Sequence, residues 1–161
     1  MIRLHHGSNV SIDAIDLSLS KRGKDFGQGF YLNPNYKQAF EMAEFKVDIF
    51  GEGSPLVTSF DFDEDAARKA GLSIKVFSDY CEEWAQFVVD NRNNKSDEAI
   101  HDYDIVIGPI ADDKVGLQIR KFIGNEISID KLIERIKYYG DKSVQYFFGT
   151  ERSLIYLQKI L

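Results

Sequence analysis

The sequence predicts a mixed α+β fold in a single domain covering residues 1–161. Three observations carry that expectation. Short runs with strand alternation lie near both ends of the chain, segments of helical period lie between them, and no linker, repeat or low-complexity tract interrupts the sequence. A chain of 161 residues is long enough to bury a substantial core without disulfides.

Ile2 to His5 reads as a first strand stopped at H-G-S-N, where Gly7 permits a turn. Ser11 to Lys24 is polar with scattered apolar residues and reads as a loop crossing the core. Gly29 to Leu32 is a short strand, and N-P-N-Y-K-Q-A is a helix start with Asn33 as cap and Pro34 in the first turn. Ala39, Met42 and Ala43 give that helix one apolar face. L-V-T-S-F-D-F-D alternates, with Phe60 and Phe62 on one parity, and L-S-I-K-V-F-S is a further extended piece. A helix from Asp79 carries Trp84, Phe87 and Val88, followed by a polar loop from Arg92 to Glu98. Asp102 to Ile110 is the most strand-like run of all. Helical segments follow around Val115–Phe122 and Ile129–Tyr139, then a strand at V-Q-Y-F-F (144–148) and a terminal helical segment in T-E-R-S-L-I-Y-L-Q. Trp84, Tyr103 and Phe147 are expected in the core.

Hydrophobic residues make up 43% and charged residues 29% of the chain, the balance of an ordinary soluble protein. Net charge −6 supplies no general attraction to nucleic acid or to an anionic membrane. With one cysteine, Cys81, there is no internal disulfide, and Glu82 and Glu83 beside it disfavour a reactive thiolate. The start M-I-R-L-H-H-G lacks the apolar run of a signal peptide, so the expected setting is a reduced cytoplasm with no membrane attachment.

Several chemistries find no support in the spacing. His5, His6 and His101 show no H-E-x-x-H pattern, and adjacent histidines on a strand face opposite sides, so no metal is expected. There is no G-x-S-x-G elbow, and F-G-Q-G-F lacks the lysine and longer glycine pattern of a phosphate loop. What remains is three separated pieces: L-H-H-G-S-N at 4–9, F-G-Q-G-F-Y-L at 26–32 and V-Q-Y-F-F at 144–148. A carboxamide-bearing ring such as nicotinamide needs an acceptor, a donor and an aromatic face. Gly7 supplies both backbone groups without an obstructing side chain, and Tyr31 supplies a face that attracts a pyridinium cation.

Four ordered blocks carry a family resemblance: L-H-H-G-S-N, S-K-R-G-K-D-F-G-Q-G-F-Y-L with the following K-Q-A, H-D-Y-D-I-V-I-G-P-I-A-D-D, and Q-Y-F-F-G-T-E-R-S-L. Together they resemble the ADP-ribosyltransferase superfamily, and more closely the small bacterial domain-of-unknown-function family 3990. The resemblance implies a split, bent antiparallel sheet core with NAD+ as co-substrate in the cleft. It implies that His6 holds the adenosine ribose, Gly7 the nicotinamide carboxamide and Ser8 the neighbouring ribose, with Tyr31 stacked on nicotinamide. Gln145 stands where many transferases carry a catalytic glutamate, so His6, Tyr31 and Gln145 form the expected catalytic set. Gln145 can orient a ribose but brings no negative charge, and Glu151 and Asp25 are the nearby carboxylates that could assist it.

The second aromatic of the ring clamp is replaced by Met42, with Tyr36 as a further candidate wall. Gly29 shapes the bend before Tyr31, while Arg22 and Lys24 are candidates to approach the pyrophosphate. The implied activity is mono-ADP-ribosylation of a macromolecular acceptor, protein slightly favoured over nucleic acid by the acidic balance. A toxin-like role with an inhibitory partner belongs to the same analogy. The alternatives are a catalytically weak NAD+-binding sensor and an NAD+ glycohydrolase.

Overall fold

The computed structural model describes residues 1–139 and 143–160 as a mixed α/β fold whose strands form two sheets flanked by helices. In chain order the elements are β1 (Ile2–Ser8), β2 (Phe30–Leu32), α1 (Tyr36–Phe50), β3 (Leu56–Phe62), α2 (Glu64–Lys69), β4 (Ile74–Val76) and α3 (Glu82–Asn93). Then come β5 (Ile105–Pro109), α4 (Asp113–Ile123), α5 (Ile129–Tyr139), β6 (Val144–Phe148), α6 (Glu151–Leu154) and β7 (Leu157–Lys159). One sheet has the order β1-β3-β7 and the other β2-β6-β5-β4. All pairings are antiparallel except β4 with β5, which run parallel. The parallel β4–β5 pair corrects the wholly antiparallel core that the family resemblance implies.

Among the described residues one backbone bridge joins the two sheets. His5 and Asn33 exchange backbone hydrogen bonds, His5 N–H to the Asn33 carbonyl at 2.8 Å and Asn33 N–H to the His5 carbonyl at 2.9 Å. Residues two apart on a strand turn their peptide groups the same way, so Gly7 and Tyr31 face each other beyond this bridge. No strand pairing continues there.

Burial follows the two periodicities. The odd residues of β6 and β2 pack Tyr31 and Phe147 with Phe26, Trp84 and the apolar faces of α3, α4 and α5. The even residues Phe30, Leu32 and Phe148 join Leu4, Phe60 and Phe62 in a second cluster between the sheets. Trp84 and Phe147 are buried as expected, whereas Tyr103 packs only partly buried at the edge.

Several local expectations are corrected. The first strand does not stop at Gly7 but runs through Ser8, because β3 pairs with it to Leu56. Gly7 is required there by close approach rather than by a turn: a Cβ would lie 1.8 Å from the Ala39 carbonyl oxygen of α1. Asn35, not Asn33, caps α1, its side chain accepting from the amides of Lys37 and Gln38. Cys81 caps α3 through its sulfur instead of sitting within the helix. The C-terminal helical segment is only α6, and Leu157–Lys159 pairs with β3 as a strand.

One buried carboxylate ties the second sheet together. Asp104 accepts from the Ser73 amide at 2.7 Å, from the Thr150 hydroxyl at 2.7 Å and from Arg152 Nε at 2.7 Å. Asp104 itself precedes β5, and its partners lie before β4, before α6 and within α6, so one side chain fixes the ends of three elements. The Arg152 guanidinium leads the causes that hold the Asp104 carboxyl down at about 2. A folded pKa below the unfolded one stabilises the fold at neutral pH, and that stability is lost as pH falls through about 2. Asp104→Ala leaves buried donors without acceptors and is expected to cost ~3 kcal/mol in urea unfolding at neutral pH. A loss under ~1 kcal/mol would contradict this role.

Candidate functional site

Beyond the His5–Asn33 bridge lie His6, Gly7 and Tyr31 of the residues singled out in the sequence, with Gln145 on the strand paired to β2. His6 points to the β2 side of β1, and its Nδ1 donates to the Tyr31 carbonyl at 2.8 Å. That bond sets the tautomer and leaves Nε2 with its lone pair, 3.4 Å from Lys46 Nζ. The imidazole stacks on Phe30 with ring centroids 4.5 Å apart. His5, one residue earlier, faces the other way, bonded to the Ser59 hydroxyl at 2.8 Å and edge-on to Tyr36.

Tyr31 is pinned at its far end. Its hydroxyl donates to the Gly27 carbonyl at 2.7 Å and accepts from the Phe26 amide at 3.1 Å. Burial drives its pKa well above the usual phenol value, so it acts as a neutral ring and not as an acid. Lys24 Nζ lies 5.1 Å from the ring centroid, within cation–π range. Gly27, at φ +99, makes the turn that returns the backbone to Tyr31's hydroxyl.

Lys46 is the residue the sequence reading missed. It projects from α1 to donate to the Gly7 carbonyl at 2.7 Å, beside His6. Burial, with Lys24 nearby, lowers its pKa to about 8. Among the described residues neither Lys46 nor Lys24 has a carboxylate in ion-pair contact. The available signal was its spacing: Lys46 falls on the turn of Ala39 and Ala43, the face that packs on β1.

Gln145 lies on the same face of its sheet as Tyr31, because Tyr31 pairs with Phe147 two residues on. Its Nε2 donates to Asp25 Oδ2 at 3.3 Å, while Asp25 Oδ1 receives Arg92 at 2.7 Å. Asp25 therefore stands directly behind Gln145, with its charge offset by Arg92. The bond also fixes the amide: with Nε2 committed to Asp25, Oε1 is the acceptor left for a hydroxyl. Arg92 belongs to α3, not to the loop expected from Arg92 onward.

Other expected site residues lie differently. Arg22 is engaged with Asp97 and the Ser96 carbonyl. The Ser8 hydroxyl is buried and accepts from the Val10 amide. Gly29 packs on Phe147 and the Phe148 carbonyl, leaving no room for a side chain. Tyr36 sits on the His5 side of β1, and Met42 is half exposed on α1. Glu151 opens α6 at the far end of β6 from Gln145.

Two surface hollows, of about 480 and 260 Å³, lie elsewhere, over Leu56–Ser59 and between Ile12–Ile15 and Leu154–Leu157. Neither is lined by His6, Tyr31 or Gln145. Among the described residues no three His, Cys, Asp or Glu converge as a metal site, and no helix is long and apolar enough to cross a membrane.

The family described as protein of unknown function (DUF3990) matches residues 2–159, essentially the whole chain, and the chain belongs to it. Searches of curated proteins and of solved structures returned no match.

His6 sets a pH dependence. Burial foremost, then the Lys46 charge, lowers its pKa to about 4. The unfolded chain takes up that proton first as pH falls, so stability present above about 6.5 declines toward pH 4. Between pH 7 and pH 5, unfolding free energy is expected to fall by roughly 2 kcal/mol more in the wild type than in His6→Gln. Equal slopes in urea titrations would contradict the buried neutral imidazole.

Proposed function

We propose that this member of the DUF3990 family is an NAD+-dependent mono-ADP-ribosyltransferase built on an ADP-ribosyltransferase-like split sheet. The observation that carries the reading is Gly7 opposite Tyr31 across the split, with two lysine ammoniums beside them that have no carboxylate in ion-pair contact among the described residues.

The donor set suits the groups of NAD+. In the structure Lys24 is a cation on the Tyr31 face, where a pyridinium ring would stack. Lys46 is an N–H donor on the Gly7 carbonyl, where the carboxamide would donate. Entry of nicotinamide replaces both contacts with chemically equivalent ones, and the displaced ammoniums remain within reach of the pyrophosphate. His6 offers Nε2 to a ribose hydroxyl from a ring already locked by Tyr31 and Phe30. Gln145 Oε1 accepts from the ribose next to nicotinamide. These contacts hold the glycosidic bond where positive charge develops as nicotinamide leaves, and an acceptor nucleophile then attacks the anomeric carbon. The acceptor is a macromolecule, with protein favoured by the acidic surface.

One observation favours a second reading. Among the described residues the only carboxylate bonded to Gln145 is Asp25, and Arg92 already offsets its charge. A site without a free carboxylate stabilises the transition state less, which suits a slow transferase, an NAD+ glycohydrolase or an NAD+ sensor.

Incubation with NAD+ and timed measurement of nicotinamide, with and without cell extract, separates these readings. Transfer predicts nicotinamide release accompanied by labelled macromolecule. Release without label indicates hydrolysis, and binding without release indicates a sensor. No binding at ~1 mM NAD+ contradicts the site altogether. Tyr31→Ala is expected to weaken NAD+ binding about tenfold or more, and Gln145→Ala to lower kcat by about a hundredfold with little change in binding. Lys46→Met frees the Gly7 carbonyl, so benzamide should bind tighter while NAD+, which loses a phosphate contact, binds more weakly. Unchanged affinities for both would remove Lys46 from the site.

A further inference from the structure

Two rows of side chains run in parallel along the solvent side of α1. Met42, Phe45 and Ile49 follow each other at i, i+3 and i+7, and they are 50%, 56% and 61% exposed. Glu41, Glu44 and Asp48 repeat the same spacing one residue earlier and are exposed as well. Residues one apart on a helix differ by about 100°, so an acidic row lies alongside an apolar row over two turns. Glu52, just past the helix, extends the acid. Only Glu41 has a cation near it, Lys37 at 3.7 Å on a largely exposed pair; among the described residues Glu44 and Asp48 form no ion pair. Three large apolar side chains at helical spacing on a solvent face are more than helix formation needs. Scattered single exposures are ordinary, but a contiguous row with a charged border marks a docking surface.

We infer that this face of α1 docks a basic amphipathic segment of a partner protein: an apolar stripe seated on Met42, Phe45 and Ile49, with lysines or arginines against Glu41, Glu44 and Asp48. The choice of occupant rests on charge. An anionic lipid surface or a nucleic acid would be repelled by the acidic row. A second copy of the chain would bring the same row against itself in an antiparallel helix pair, at a cost in like-charge repulsion. A basic helix satisfies both rows with its own i, i+3, i+7 pattern. The inference is independent of the NAD+ reading, because it uses none of His6, Gly7, Tyr31, Lys46 and Gln145.

The probe is a labelled helical peptide of about 18 residues with leucine on one face and lysine bordering it, read by fluorescence anisotropy on the full chain. A companion peptide carries glutamate at every lysine. The lysine peptide is expected to bind at least about tenfold tighter than the glutamate peptide, and to weaken severalfold on raising salt to about 0.5 M. Phe45→Ser with Ile49→Ser should weaken it about tenfold, and Glu44→Gln with Asp48→Asn should weaken it and flatten its salt dependence. Should the serine variant fail to fold, the Gln/Asn variant and the companion peptide still decide. Equal binding of the two peptides, no binding of either, or indifference to both variants overturns the inference. So does a wild-type dimer in sedimentation that the serine variant dissociates, or binding to phosphatidylcholine vesicles lost in that variant, since either makes a different occupant the natural one.

Discussion

The NAD+ site proposed for this protein depends on a strand pairing that stops after one residue pair. His5 and Asn33 close a regular antiparallel bridge, and the next hydrogen-bonded pair in that register would be Gly7 with Tyr31. Continued pairing would fuse the two sheets and consume the Gly7 peptide. The pairing is interrupted by side chains that take its acceptors. The Tyr31 carbonyl receives His6 Nδ1, and the Gly7 carbonyl receives Lys46 Nζ. Buried peptide groups are almost always satisfied, so these two bonds hold the split open without leaving either carbonyl unpaired. The close seat of α1 on Gly7 keeps Lys46 within reach.

The same arrangement concentrates destabilising electrostatics. Lys46 lies partly buried with no carboxylate in ion-pair contact among the described residues, Lys24 lies near it at the surface, and His6 beside Lys46 is held neutral. A fold selected only for stability would place an apolar residue or an acid there, because burying an unpaired ammonium costs free energy. Perturbed titratable groups that converge on one cleft are the usual mark of a binding site. By contrast, Asp104 with Arg152, Thr150 and Ser73 is a buried charge with every partner supplied, and its place at three element ends reads as architecture.

Much of this was legible in the sequence, and the exceptions have physical causes. The alternation of Phe60 and Phe62 and the helical spacing of Trp84, Phe87 and Val88 place those residues correctly, because periodicity reports which face is buried. His5 and His6 fall on opposite faces as extended backbone requires. Gly7 was misread as a turn because a glycine needed for close helix approach looks the same as one needed for a bend. The strand β7 escaped because three residues carry too few alternations to reveal a strand, and the parallel sense of β4 against β5 escaped because alternation within a strand does not record its partner's direction. Asp25 was recognised only as a nearby acid; its partnership with Gln145 and Arg92 joins residues 120 and 67 positions away, which no local pattern records.

The most direct test of the NAD+ site is to follow backbone amide resonances of the chain as NAD+ is added. The Gly7 and Tyr31 amides face the split and should shift together with those flanking Lys46, saturating at one affinity. Shifts confined to the hollow between Ile12–Ile15 and Leu154–Leu157, with Gly7 and Tyr31 unmoved, would contradict it.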